Sequence, residues 1–536
     1  MCMISTRVCA FFVLMGLVLS ACRVSAPRQT DGQASDPFEE LVLVPPPTTD
    51  DGHISFQILH INDVYEIAPL PGDNLGGFAR LKTLYDSLYN QNPNTLFVLA
   101  GDFLNPSLLG SLKMNGQRIA GRHMVEVMNR AGVDLVAFGN HEFDLKYADL
   151  QQRFDESEFE WLATNVLYRN GDRLQPFFAH YGNFKYYFPE NFIWEIEDAD
   201  GTTLKVGFFS AVLPANPKDY VHYEDCYEEA IKAYLELNAR CDVVIGLTHL
   251  DLDMDRKLAT LLPNVPLIMG GHEHELHHDS VGNVHIFKAD ANAKTAWIHR
   301  FEVDKVLAPG YVGRKSYVRR IDSTLSADPY VEEVVQKWIH LQNEAIRAVG
   351  VDPDEVLMYA HQPLDGREAS VRNHSTNLTQ LITRAMAAAA RQPVDAAILN
   401  GGSIRVDDLL QGAITAVDIF RTLPFGGSLV EVDLQGVLLR RLLDQGQHNK
   451  GTGGFLHAYG ISKDNAEWTV GASPLDDQAV YHIIVPDFLL TGLEIGIDFF
   501  TPDNPQVVGL DRPVQPDDVR SDIRKALIDY LRARGK

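Results

Sequence analysis

Asn140, His141 and Asp144 lie within five residues of one another, directly after the apolar run 134–138. An amide oxygen, an imidazole and a carboxylate in one turn can bind a metal ion and move a proton. Four other places repeat the arrangement of a short apolar run ending in a potential ligand. The run 56–61 ends in Asn62 and Asp63, 95–100 in Gly101 and Asp102, 243–247 in Thr248 and His249, and 266–269 in Gly270, Gly271, His272, Glu273 and His274. Any one of these histidines alone is more often structural or solvated than a ligand. Five in chain order point to one site, because ligands collect beyond the carboxyl ends of strands in open α/β sheets. The mixed nitrogen and oxygen donors suit zinc, manganese, cobalt or iron better than magnesium or calcium, which favour oxygen alone. Two such ions roughly 3.5–4 Å apart can hold a bridging hydroxide and clamp a phosphoryl group.

The elements that must position these residues are legible as alternating patterns. From residue 53 to about 305, β-type runs alternate with helical stretches. A helix is expected over 77–89, with Phe78, Leu81, Leu84, Tyr85 and Leu88 on one face, and another over 119–129. Such alternation argues for α/β sheets covered by helices. The aromatic and polar stretch 170–203 reads as hairpins or long loops. A helix over 328–349 has Val331, Val335, Trp338 and Ile339 on its apolar side and reads as a connector. From about 350 to the end, helices such as 378–390 mix with short strands in a second, α+β domain. Within it, Asn400-Gly401-Gly402-Ser403-Ile404-Arg405 follows an apolar run, and Phe425 precedes Gly426 and Gly427. The glycines permit close backbone approach, and Arg405 offers a bidentate fork to a carboxylate or phosphate. A structural turn with a surface arginine fits the same residues.

At 536 residues the chain exceeds one ordinary core, so two or three domains are expected. A formal charge of −25 disfavours nucleic-acid polymers and anionic membrane surfaces as partners. Any anionic substrate must be small and held by local cations. Arg7, the apolar run 8–19 and Ser20-Ala21-Cys22 read as a signal peptide, too short to span a bilayer. Leu19-Ser20-Ala21-Cys22 resembles a bacterial lipobox, which implies export, cleavage before Cys22 and a membrane anchor through its lipidated thiol. An ordinary signal peptide is the alternative. Residues 22–52, with Pro45-Pro46-Pro47, read as an extended tether. Cys226 and Cys241 flank a helical stretch, a poor geometry for a disulfide.

The five strand-end motifs, in their order, resemble those of calcineurin-like metallophosphoesterases, and the whole chain resembles a two-domain 5′-nucleotidase. The resemblance implies a four-layer α/β/β/α domain over 53–310, a connector helix over 326–350 and an α+β substrate-binding domain over 351–536. It implies two divalent ions (zinc, manganese or cobalt) bridged by Asp102. Asp63 and His274 would serve one ion, and Asn140, His249 and His272 the other. His141 would act as general acid, oriented by Asp144. Where the family has a histidine ligand in its first motif, this chain has Tyr65. Two readings stand: a phenolate ligand, which would admit iron, or a side chain that only packs nearby. In the second domain the resemblance implies that Arg372 and Arg405 grip substrate oxygens, with Asn400 on the base and Gly402 in the close turn. Phe425 and Phe488 would sandwich the base. Glu494 would replace the family's acidic ribose contact, in a loop altered by Leu493. The activity implied is hydrolysis of nucleoside 5′-monophosphates, or of UDP-sugars and related phosphoesters. Cyclic-nucleotide, sugar-phosphate or sulfur-ester hydrolysis on the same site is the alternative, as is a non-catalytic surface binding protein. Oligomeric state is not legible in the sequence.

Overall fold

The computed structural model describes residues 50–534 apart from 73, 216, 307–310, 465 and 466. The signal peptide and nearly all of the tether lie outside the described residues. Strand residues point alternately to opposite faces, and the first two strands show how this builds layers. Along His53–Ile61, the residues Ile54, Phe56 and Ile58 join a core between two sheets, while Leu59 and Ile61 face a layer of helices. Thr95–Ala100 divides in the same way, with Leu96, Val98 and Ala100 inward to the second sheet and Phe97 and Leu99 toward the helices. A strand apolar on both faces must be covered on both, and that requirement produces four layers.

The first sheet has six strands in the order Tyr311–Arg320, Thr295–Asp304, His53–Ile61, Thr95–Ala100, Leu135–Ala137 and Glu160–Leu162. The second, also of six, runs Asn191–Glu197, Thr203–Val212, Val243–His249, Leu267–Gly270, Val284–Lys288 and His277–Val281. Within each sheet the strands that carry candidate ligands at their ends run parallel to one another, so those ends open toward one side of the sheet. Phe78–Gln91 and Arg122–Ala131 cover the first sheet, and Cys226–Asn238 and Leu252–Leu261 the second. The segment 170–203 forms hairpin strands, as expected of it. Cys226 and Cys241 are both free thiols.

Two boundaries differ from expectation. Tyr311–Arg320 pairs along the full length of Thr295–Asp304, so the first sheet continues beyond residue 310. The helix Pro329–Ala348, expected as a connector, packs onto Phe78–Gln91 and Arg122–Ala131, and Trp338 is fully buried there. Its apolar face needed a partner, and the helical layer of the first sheet supplied one. Only its last turn reaches the second core, through Ile346.

In the second domain a five-stranded sheet runs Leu456–Tyr459, Ala396–Asn400, Val480–Pro486, Leu429–Gln435 and Val507–Asp511. Asn377–Ala389 and Ile523–Arg534 cover one face, and Gly436–His448 the other. Asn400 ends the Ala396–Asn400 strand, and the turn Gly401–Ser403 carries the chain on toward Arg405. No helix among the described residues is long and apolar enough to cross a membrane.

Trp338 fills the junction of three helices, with its Nε1 donating to Glu126 Oε2 at 3.0 Å. Trp338→Ala should therefore cost about 3–5 kcal/mol of stability, read as a lower urea midpoint. A loss under about 1 kcal/mol would show that the helix is a loosely attached connector after all.

Candidate active site

Asp63, Asp102, His272 and His274 all have left-handed backbones, with φ of 52°, 58°, 90° and 63°. Non-glycine residues rarely adopt this conformation, and it is held only where surrounding structure imposes it. Here the strand ends turn sharply so that the side chains converge. Glycine is required beside them: a Cβ on Gly139 would lie 2.1 Å from Asp102 Oδ1, and one on Gly271 would lie 2.5 Å from the Ala100 carbonyl oxygen.

The convergence is tight. Asp102 Oδ2 stands 3.0 Å from His249 Nε2, and Asp63 Oδ1 stands 3.3 Å from His274 Nε2 and 3.8 Å from His249 Nε2. Ligand atoms of Asp102, His249 and His272 all lie within 4.8 Å of one another. Asp63 Oδ1 and His249 Nε2 are buried, and no protein hydrogen bond reaches either atom among the described residues. Buried polar atoms are otherwise nearly always satisfied, so opposed donors left this way fit a cation between them. The backs of the rings agree. His249 Nδ1 meets the Ala100 carbonyl at 2.8 Å and His274 Nδ1 the Asp407 carbonyl at 2.9 Å, which leaves each Nε2 turned to the centre. His272 Nε2 is 3.3 Å from Asp251 Oδ1. Burial opposes charge on His249, but Asp102 and Asp63 outweigh it and push the imidazole up to about 9. A proton there stands in for the cation that ligation would exchange for it.

Tyr65 is brought into this group. Its hydroxyl lies 3.3 Å from Asp102 Oδ2 and 3.1 Å from His274 Nε2. Burial, followed by the charge of Asp102, holds the phenol well above its ordinary range, so it stands as a hydrogen-bond donor to the carboxylate. Asn140 is buried in the turn after Leu135–Ala137, between Gly139 and His141, both of which meet Asp102.

His141 is gripped from two sides. Its backbone N–H donates to Asp102 Oδ1 at 2.7 Å, and its Nδ1 lies 2.8 Å from Asp144 Oδ2. Burial disfavours the imidazolium, yet Asp102, Asp144 and Glu368 push His141 up to about 10. The imidazole therefore carries its second proton at neutral pH in this structure. Burial acts on Asp144 in the opposite sense, but His141 and Arg405 hold its carboxyl well below the usual carboxylate range.

The second domain closes on this dyad. Arg405 Nη2 donates to Asp144 Oδ2 at 2.8 Å. Arg372 pairs with Glu368 at 2.6 Å, and Glu368 Oε2 stands 3.8 Å from His141 Nε2. Asn400 Nδ2 donates to Glu494 Oε2 at 2.6 Å, so these two polar candidates meet each other. Gly402 N donates to the Gly453 carbonyl at 2.7 Å. Phe425 and Phe488 are 58% and 40% exposed, and neither ring stacks on another aromatic among the described residues.

Sequence reasoning assigned no role to several residues that build the site. Glu142 is fully buried and accepts four backbone N–H bonds, from Asp102, Phe103, Leu104 and Gly139 at 2.7–3.1 Å. It locks two ligand-bearing turns together. Burial, reinforced by Asp102, raises its carboxyl to about 7 against the pull of these donors. Asn105 Nδ2 donates to Asp144 at 2.9 Å. Asp251, Glu368 and Asp407 also approach the site. The only available signal was position: Glu142 follows His141, and Glu368 lies four residues before Arg372, the spacing of a helical ion pair.

A glutamine at 142 would turn its amide N–H₂ toward two of those four donors. Glu142→Gln should cost about 1–3 kcal/mol and reduce bound metal, read by thermal unfolding and elemental analysis. Unchanged metal content would remove Glu142 from the construction of the site.

Comparison with known proteins agrees with this geometry. Residues 56–276 match the family model for calcineurin-like phosphoesterases, and residues 356–501 match that for the 5′-nucleotidase C-terminal domain. The chain is 27% identical to the trifunctional nucleotide phosphoesterase protein YfkN of Bacillus subtilis over 75% of its own length, but over only 28% of that protein. It is 26% identical to the 5′-nucleotidase of Bos taurus, covering 81% of this chain and 83% of that one. Its fold is similar to that of a 5′-nucleotidase precursor from Thermus thermophilus, with a TM-score of 0.64, 24% identity, and coverage of 90% of this chain and 97% of that one. A calcineurin-like phosphoesterase domain followed by a 5′-nucleotidase C-terminal domain makes this chain a metallophosphoesterase of the two-domain 5′-nucleotidase family.

Proposed function

We propose that this protein hydrolyses nucleoside 5′-monophosphates, with residues 53–310 supplying the metal ligands and residues 351–536 the nucleoside site. The observation that carries the reading is the chain His141–Asp144–Arg405. A general acid, its orienting carboxylate and an arginine of the second domain form one connected unit of two bonds, each 2.8 Å.

In this reading Asp63 and His274 would hold one ion, joined by Tyr65 if its phenol ligates, and Asn140, His249 and His272 would hold the other, with Asp102 available to both. Divalent ions there supply Lewis-acid chemistry toward a phosphoryl oxygen. His141 gives its proton to the leaving oxygen, which is a poor leaving group as an alkoxide. Asp144 keeps the ring oriented and offsets the charge of the imidazolium. Arg372 and Arg405 take substrate oxygens, Asn400 and Glu494 present a polar edge to base and ribose, and Phe425 and Phe488 stack on the base. Zinc, manganese or cobalt suits the donors, and iron suits Tyr65. UDP-sugars are a second candidate class to be tested beside the monophosphates, and cyclic nucleotides, sugar phosphates and sulfur esters are the competing substrates. Export and a lipid anchor at Cys22 would place the reaction at a bacterial cell surface or in the periplasm.

Phosphate release from a panel of these substrates, with each metal and with a chelator, tests the reading. Chelator-sensitive turnover should concentrate on nucleoside monophosphates; turnover without nucleotide preference would discard the nucleoside site. Asp102→Ala should abolish metal binding and activity together. Asp144→Ala should retain metal and slow turnover about 10²–10⁴-fold, the usual contribution of general acid catalysis. Full activity in both variants would overturn the assignment. If Tyr65 ligates ferric iron, iron-loaded protein should show a visible phenolate-to-iron absorption band that Tyr65→Phe removes.

A further inference from the structure

Glu368 opens the short helix Glu368–Val371, and its backbone N–H donates to Asp407 Oδ1 at 2.5 Å. That bond aims the side chain toward the first domain. One carboxylate oxygen, Oε1, takes Arg372 Nη1 at 2.6 Å, and the other, Oε2, lies 3.8 Å from His141 Nε2. The carboxylate therefore stands between the general acid and an arginine placed to grip substrate oxygens. Asp144 occupies Nδ1 on the far side of the same ring, so Nε2 is the edge from which a proton reaches the leaving group. A negative charge sits on that edge, and its nearest cation, Arg372, is already paired with it.

The consequence concerns the leaving group and not the phosphoryl group under attack. In hydrolysis of a monoester, water adds across the P–O bond and the leaving oxygen departs as a neutral alcohol once His141 protonates it. In hydrolysis of a phosphoanhydride, the departing oxygen belongs to a second phosphate whose charge must pass close to Glu368. Like charges a few ångströms apart repel strongly where water is largely excluded, and the two arginines at hand are already engaged, Arg372 by Glu368 and Arg405 by Asp144. Exposed charges would be screened, but the Glu368 side chain is three-quarters buried.

We propose that Glu368 is a specificity-determining residue that favours phosphomonoesters with uncharged leaving groups and disfavours phosphoanhydrides such as nucleoside diphosphates, pyrophosphate and UDP-sugars. The proposal rests on the reading of His141 as the acid toward the leaving oxygen, and it does not require a nucleoside.

The test compares kcat/KM of the native protein and Glu368→Gln on two pairs of substrates under the same metal loading. AMP and ADP form one pair, and glycerol 2-phosphate, whose leaving group is a neutral alcohol, and inorganic pyrophosphate the other, which carries no base. The monoester-to-anhydride ratio should fall by about tenfold or more in Glu368→Gln, equivalent to roughly 1.4 kcal/mol, through gain on the anhydride. Glu368→Lys should lower it further. Metal content and thermal midpoint of each variant are measured alongside, so that loss of fold is separated from altered selectivity. A fall in the second ratio with neither AMP nor ADP turned over would support Glu368 and refute the nucleotide reading. Unchanged ratios, or equal loss on all four substrates, would overturn the proposal.

Discussion

The site depends on one buried carboxylate. Glu142 is fully buried, with no cationic partner in contact among the described residues, and is satisfied by four backbone N–H groups drawn from two separate turns. Burying an ionisable group without partners is costly, so the two turns must stay where their amides can reach it. That requirement fixes Asp102 against Gly139 and places the His141 amide on Asp102. The left-handed backbones of Asp63 and Asp102, unfavourable alone, become tolerable inside this frame.

A second buried charge shapes the opposite rim. Lys288 is fully buried, pairs with Asp255 Oδ2 at 2.8 Å and donates to the Leu250 carbonyl and to Glu273. Each acceptor belongs to a different segment: the turn after His249, the helix Leu252–Leu261, and the stretch between His272 and His274. Asp255 also accepts from Thr248 Oγ1 at 2.7 Å. Breaking such a buried pair leaves an uncompensated charge, which is more destabilising than the pair is stabilising. The network therefore specifies loop position more than it adds net stability.

The two domains meet through charge. Arg421 pairs with Glu66, Lys294 with Asp408, and Arg367 with Glu275, at 2.6–2.7 Å, around the central bond from Arg405 to Asp144. Beside these ion pairs, Leu108 of the first domain is buried in the apolar core of the second, so the junction mixes charge with apolar contact. Arg372 and Arg405 are held here by Glu368 and Asp144, so in the proposed reading substrate oxygens would have to displace these carboxylates.

The chain's order of strand-end motifs was readable because each candidate ligand follows an apolar run. Those runs and the helical stretches between them indicate helix-covered α/β sheets and an α+β second domain; the four-layer α/β/β/α stacking is what the family resemblance implies, because runs apolar on both faces carry no period-two signal. The types of the candidate ligands were also local information: Asp63, Asp102, Asn140, His249, His272 and His274 stand at turns. What the sequence by itself could not determine was pairing across long separations. That Asn400 meets Glu494, that Glu368 faces His141, and that Tyr65 reaches Asp102 depend on contacts between residues from 37 to 227 positions apart. The role of Glu142 was hidden for a related reason, since its partners are backbone amides that every residue but proline carries. The extent of the first domain was decided in the same way. Helix Pro329–Ala348 shows an apolar face in sequence, and only tertiary packing selects which surface covers it.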